Sequence, residues 1–254
     1  MFRIIPGEYM SSILVGVSEF DVLVHEIGPD KQARLKSVFN YMQANIDLHS
    51  RQQGTSASHI EKRNLSWVYA RFYAEIKEYP VLYQSITCRT WLSKLDRYLA
   101  HRDFTISGQN GVLMVSATGS LALIDRDTRK PVEIRVPAGK TVEIHNQRSV
   151  ECSFSKIPSH ENYSIKFRTS TRYEDIDINN HMNNASYAQM FYESLAGKVN
   201  GARLESIDIA FMGEVSHCDE LVCFAEPAGE GVYHHKMVNE TKGNVAALAV
   251  TRWR

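Results

Sequence analysis

A strand, one long amphipathic helix and then a run of further strands occur twice along this 254-residue chain. That order constrains the fold more than any other feature, because each helix then has a sheet of its own to bury its apolar face against. In the first half, Phe20, Val22 and Val24 alternate as a strand. After Gly28-Pro29-Asp30, residues Leu35, Val38, Phe39, Met42 and Ile46 recur at helical spacing, with Pro29 and Asp30 suited to the first turn. From Trp67 the period changes to two, and strands are predicted from Trp67 up to Tyr79-Pro80 and over 84–94, 98–107 and 112–125 as an antiparallel meander. The Asn110-Gly111 pair marks a hairpin.

Residues 137–162 are polar and weakly periodic and read as the connection between halves. The order then repeats: a strand through Ile165, Phe167, Thr169, Thr171 and Tyr173, then a helix marked by Tyr187, Met190, Phe191 and Leu195 that stops near Gly197. Strands follow at 206–212, 220–225, 232–239 and 245–253. A duplicated α+β unit explains the pattern, with domains at 1–150 and 151–254.

Lys+Arg and Asp+Glu balance at 29 each, so net charge points to neither nucleic acid nor a membrane surface. No run approaches the roughly 18 apolar residues of a membrane span. The stretch 13–17 is too short for a secretory leader, which sets the expectation of a cytosolic protein. Cys88, Cys152, Cys218 and Cys223 form no metal or disulfide framework and read as reduced, mostly buried thiols.

The densest polar segment, 173–184, lies between a strand and a helix. Asp175-x-Asp177-x-Asn179 opens like a calcium loop, but Asn180 stands where glycine is needed and Ser186 where the closing Glu belongs. Asn183 or Asn184 suits the helix N-cap. Asp177, Asn179 and His181 alternate just before it, on one side of an extended approach to the helix N-terminus. Such a terminus offers N–H groups to an oxygen acquiring negative charge, and a carboxylate beside an imidazole can activate water. There is no G-x-S-x-G elbow and no H-E-x-x-H helix, so a hydrolase built here attacks with water directly and uses neither metal nor cofactor. A thioester suits it, since a thiolate leaves without strong acid assistance (thiol pKa about 8.5).

The run Asp177-Ile178-Asn179-Asn180-His181-Met182-Asn183-Asn184-x-x-Tyr187 resembles the D-x-N-x-H-x-N-N-x-x-Y signature of acyl-acyl-carrier-protein thioesterases. Glu75-Ile76-Lys77-Glu78-Tyr79-Pro80, Thr90-Trp91-Leu92-Ser93, Arg102-Asp103-Phe104 and Leu123-Ile124-Asp125-x-x-Thr128-Arg129-Lys130-Pro131 resemble that family's first domain in order and spacing. The resemblance covers roughly residues 15–254. It implies two tandem hot-dog domains, each a curved antiparallel sheet around a long helix, the first for the acyl substrate and the second for catalysis. It implies hydrolysis of fatty acyl-carrier-protein, with acyl-coenzyme A hydrolysis and non-catalytic acyl binding as the alternatives.

Residue by residue, the resemblance assigns catalysis to Asp177, Asn179, His181 and Glu214. In the role it implies, Asp177 and Glu214 hold the water, while Asn179 and the helix N–H groups fix the carbonyl. Asn183 and Asn184 join the substrate site. Plant members carry a cysteine directly after the glutamate; Val215 stands here, which favours water over a thiol nucleophile. The plant transit segment is not matched in this sequence, which sets the expectation of a bacterial protein. His217-Cys218 is a poor dyad if the two lie on a strand, where neighbours face opposite ways. The locally basic Arg89, Lys94, Arg97, His101 and Arg102 are candidates for docking an acidic acyl carrier protein. Neither nucleic acid nor membrane is expected as a partner, and a homodimer is compatible with the pattern.

Overall fold

The computed structural model describes residues 14–135, 142–199 and 201–254. Residues 1–13, the last of which begins the stretch read above for a leader, and 136–141 of the connecting segment lie outside it. Two compact units result, Met1–Ala70 with Ile76–Cys152 and Arg71–Glu75 with Ser153–Arg254.

In the first unit the strands are β1 (Val15–Asp21), β2 (Leu65–Ile76), β3 (Ser85–Leu95), β4 (Leu99–Gly108) and β5 (Leu113–Asp125). Their spatial order is β1-β3-β4-β5-β2. Only β3, β4 and β5 therefore form a meander: β2 returns to the far edge beside β5, and β1 takes the outer edge of β3, where Val17 lies opposite Arg89. Helix α1 (Leu35–Gln52) buries Leu35, Val38, Phe39 and Met42, as its periodicity requires. Its last two turns bury polar residues instead: Asn45 accepts from Ser18 Oγ (2.9 Å) and His49 Nδ1 meets Arg102 Nη2 (2.7 Å). A short helix α2 (Ala57–Glu61), without a sequence signal strong enough to place it, precedes β2.

Two local expectations are corrected. Val24 is exposed and begins a 3-10 turn (Val24–Glu26), so the first strand ends at Asp21. Pro29 and Asp30 belong to a turn and not to the helix, because Asp30 Oδ1 accepts from Gln32 N–H (3.1 Å) and Lys31 adopts φ +60°. The helix starts after Arg34.

The second unit repeats the order. Strands β6 (Ile165–Ser170), β7 (Leu204–Phe211), β8 (Glu220–Gly229), β9 (Val232–Asn239) and β10 (Asn244–Trp253) lie as β6-β8-β9-β10-β7, with Arg71–Glu75 of β2 paired to the outer side of β7. Helix α3 (Asn184–Leu195) buries Tyr187, Met190, Phe191 and Leu195. Tyr173 stands outside the strand predicted through it and is exposed. Each unit is thus a five-stranded antiparallel sheet holding one long helix, the hot-dog arrangement. No helix among the described residues is long and apolar enough to cross a membrane.

His235 on β9 sits under α3, with Phe191 edge-on at 5.4 Å and Thr251 Oγ1 at 2.7 Å from Nε2. Burial, helped by the neighbouring His234, lowers its pKa to about 3. The unfolded chain therefore takes up this proton first. The contribution to stability is complete above about pH 6.5 and is lost as pH falls towards 3, by about 1.4 kcal/mol per unit. His235→Gln should consequently lose about 2 kcal/mol less than wild type in urea unfolding between pH 7.5 and 5. Parallel losses in both proteins would show that His235 does not carry this dependence.

Candidate active site

The polar segment between β6 and α3 is a tight turn rather than an extended approach. A 3-10 turn, Tyr173–Asp175, is closed by the buried Asp175, whose carboxylate accepts from Arg172 N–H (3.1 Å) and Ser186 Oγ (3.1 Å). Ile176 then bridges Met182, Asp177 N–H donates to His181 O (2.7 Å), and Asn180 N–H donates to Asp177 O (3.0 Å). Asn180 takes φ +63°, a conformation asparagine tolerates better than most residues. The Asp177 carboxylate folds inward over this turn: Oδ1 accepts from the N–H groups of Asn179 (2.8 Å) and His181 (3.3 Å), and Oδ2 lies 3.5 Å from Asn179 Nδ2. These bonds explain why the predicted extended stretch does not form.

The first unit contains the same turn without the same side chains. Ile27 bridges Ala33, Gly28 N–H donates to Gln32 O (2.8 Å), and Lys31 has φ +60°. Gly28 stands in the place of Asp177 and Gln32 in that of His181. The backbone is duplicated, and the Asp177 carboxylate and His181 imidazole stand only in the second copy of this turn.

Glu214 reaches the turn from the segment after β7. Met212 and Gly213 donate to Ala246 O (2.9 and 3.0 Å), Met182 N–H donates to Val215 O (2.8 Å), and Tyr187 Oη donates to Gly213 O (3.0 Å). A Cβ at Gly213 would fall 2.7 Å from the Asn244 amide and 3.1 Å from Val245 O, so the absence of a side chain eases this close approach. The result is His181 Nε2 at 3.2 Å from Glu214 Oε2, with both side chains partly open to solvent. Tyr187, which the sequence reads only as a helix marker and the end of the signature, anchors with its hydroxyl the backbone beside Glu214.

At the start of α3, Asn183 is the N-cap and is occupied as such: its Oδ1 accepts from Ala185 N–H (2.8 Å) and its carbonyl from Ser186 N–H (2.9 Å). Asn184 is the first helical residue. Among the described residues no group of three or more His, Cys, Asp or Glu is arranged to hold a metal.

The basic docking set does not survive as one surface. Arg102 is buried, bonded to His49 Nδ1 and 3.3 Å from Ser50 Oγ, and burial lowers its guanidinium to about 10. Lys94 is paired with Asp96 (2.9 Å), which also meets His101 Nε2 (3.0 Å), and Arg97 with Glu133 (3.2 Å). Strand alternation explains the miss: β4 turns Arg102 inward onto α1. Arg89, Lys94 and Arg97 are exposed.

The four cysteines are free thiols, as expected, and only the placement of Cys218 differs from the sequence reading. Cys88 and Cys223 are buried, and desolvation pushes both thiols up to about 12, far from reactivity. Cys218 is exposed on a turn with φ +64°, not on a strand, so it does touch His217. Its Sγ lies 3.4 Å from Nδ1 and 3.5 Å from Nε2.

Comparison with known proteins bears on both units. The acyl-ACP thioesterase N-terminal domain matches residues 15–138 and the acyl-ACP thioesterase C-terminal domain residues 158–254. A chloroplastic acyl-[acyl-carrier-protein] hydrolase of Cuphea viscosissima is 27% identical over 98% of this chain, which spans 65% of that protein's length. The fold superposes on the crystal structure of an acyl-ACP thioesterase from Bacteroides thetaiotaomicron with a TM-score of 0.84 and 21% identity, covering 94% of this chain and 98% of that one. The 12:0-ACP thioesterase from Umbellularia californica gives a TM-score of 0.82 at 20% identity, covering 94% and 97%. With both family domains matched in order along a twice-repeated hot-dog unit, the chain belongs to the acyl-ACP thioesterase family.

Proposed function

We propose that this protein hydrolyses the thioester of fatty acyl-acyl-carrier-protein to free fatty acid and carrier thiol, without a covalent acyl-enzyme. The observation that carries the reading is the contact between His181 Nε2 and Glu214 Oε2 (3.2 Å) beside the N-terminus of α3. A water held by the Glu214 carboxylate attacks the thioester carbon and gives its proton to that carboxylate, which shares it with the imidazole. The carbonyl oxygen, now negative, is received by Asn184 N–H and the Asn179 amide at the positive end of the helix. Collapse expels the thiolate, which takes the proton back. Asp177 acts through the turn: with its carboxylate on the Asn179 and His181 N–H groups, it orients those two residues. In this reading it is a positioning residue and Glu214 the base.

The second unit holds the proposed chemistry, and we assign the acyl chain to the first. Arg89, Lys94 and Arg97 remain the residues we propose for the acidic carrier, and the cytosol remains the proposed location. Hydrolysis of one acyl chain presented on carrier protein and on coenzyme A tests the substrate: the carrier form should react with the higher kcat/KM.

A water mechanism also makes the thiols dispensable. Cys218→Ser and Cys223→Ser should keep kcat within a few-fold of wild type, and single-turnover mass spectrometry should show no acylated protein. An acyl-cysteine trapped in that experiment would replace water with a thiol nucleophile.

A further inference from the structure

We propose that Lys242 and Asp219 form a clasp that positions Glu214 against His181. The proposal rests on the reading that this pair performs the chemistry. Lys242 lies on the turn between β9 and β10, and its ammonium has three protons and three acceptors: Glu214 O (3.1 Å), Ser216 Oγ (2.8 Å) and Asp219 Oδ2 (3.2 Å). It therefore grips the segment that carries Glu214 at the backbone of Glu214 itself.

The other jaw is Asp219, a carboxylate with 7% of its side chain exposed. Its Oδ2 accepts from Ser216 N–H (2.8 Å) and Asn239 Nδ2 (2.6 Å) as well as from Lys242, and its backbone carbonyl accepts from Thr171 N–H (3.0 Å). Burial opposes its charge, and the Ser216 N–H, the Asn239 amide and the ammonium outweigh burial, holding the carboxyl below its usual range. Asn239 Oδ1 in turn accepts from Lys242 N–H (3.1 Å), so the turn presenting the lysine is tied to the same hub.

The first unit supplies an internal control. There Ala33 N–H donates to Pro80 O (2.7 Å), Val22 N–H to Gln84 O (3.0 Å) and Val81 N–H to Gln84 Oε1 (3.0 Å), and Tyr83 has φ +64° like Cys218. The loop is the same, with Tyr79 in the place of Glu214 and Gln84 in that of Asp219. The corresponding turn between β4 and β5, Gln109-Asn110-Gly111-Val112, has no cationic residue. A neutral amide is enough to hold this loop. The buried carboxylate and its ammonium occur in the copy with His181 and Glu214, where placement of a side chain matters and not only closure of the loop.

The test uses Lys242→Met and Lys242→Arg in the full chain. Lys242 is on an exposed turn, and melting temperatures within a few degrees of wild type confirm that both variants fold. Loosening the Glu214 segment should lower kcat of Lys242→Met by about 10-fold or more with KM within about two-fold, since small misplacements act on the chemical step. Lys242→Arg should recover most of that loss. The 15N NMR signature of the His181 ring, which reports its hydrogen bond to Glu214 without substrate, should change in Lys242→Met and return in Lys242→Arg. Unchanged kcat with an unchanged His181 signature would overturn the clasp. A loss expressed mainly in KM would also overturn it, because Lys242 would then be meeting substrate. If the wild type itself hydrolyses no acyl-carrier protein, the proposed function fails, and the His181 signature alone decides the clasp.

Discussion

Glu214→Gln is expected to lower kcat on acyl-carrier protein by at least about 10²-fold, with KM nearly unchanged and the fold intact. The amide keeps the size of the side chain and an oxygen that can face His181 Nε2, now 3.2 Å from Glu214 Oε2, but it cannot accept a proton from water. His181→Gln should cost a similar factor, since the proton held by the carboxylate then has no partner to share it. The two losses should not add: a double variant falls little below either single one, as expected of groups that act as a unit. Asp177→Asn differs in kind. Its oxygen can still accept from the Asn179 and His181 N–H groups, so the turn persists and the loss should be the smaller one. Steady-state kinetics on the three variants decides the order. Near wild-type turnover in Glu214→Gln would remove the proposed base.

The largest effect on stability is expected in the other unit. Asp103 on β4 has no exposed surface. Its carboxylate accepts from Ser149 N–H (2.8 Å), Ser149 Oγ (3.0 Å) and Arg148 Nε (3.2 Å), which pins the middle of the connecting segment to the sheet. Asp103→Ala removes the acceptor of the half-buried Ser149 N–H and of Arg148 Nε, while the Arg148 guanidinium keeps Thr118 Oγ1 (2.8 Å), a change that costs about 3 kcal/mol. At this chain length that corresponds to a drop in melting temperature of roughly 10 °C. Urea unfolding of the variant checks the figure, and a loss under about 1 kcal/mol would mean that the segment is held by other contacts.

The duplication was legible because burial imposes a period on the residues. Leu35, Val38, Phe39 and Met42 had to share a face of α1, and the alternation from Trp67 onwards had to make strands. What stayed hidden depends on partners distant in sequence. The return of β2 to β5 is a long-range pairing that no local pattern encodes. Pro29-Asp30 resembles a helix start, yet Asp30 satisfies Gln32 and makes a turn, because a short side chain offers the backbone a competing hydrogen bond. The same competition bends 177–181, where Asp177 takes the N–H groups that an extended strand would turn outwards. Arg102 illustrates the limit of reading charge from composition: a neighbouring cluster of cations in sequence is split by alternation, and one member points into the core. The Asp177, Asn179 and His181 spacing was legible as a motif, but the tie from Lys242 to Glu214 O runs to a backbone atom and leaves no trace in the spacing of side chains.

The most direct test of the account is the release of free thiol from one fatty acyl chain carried on acyl carrier protein, measured with wild type and Glu214→Gln side by side. The account predicts steady turnover by wild type, a kcat/KM above that for the same chain on coenzyme A, and at least about a 10²-fold lower rate in the variant. No hydrolysis of the carrier thioester by wild type, or equal rates in the two proteins, would contradict it.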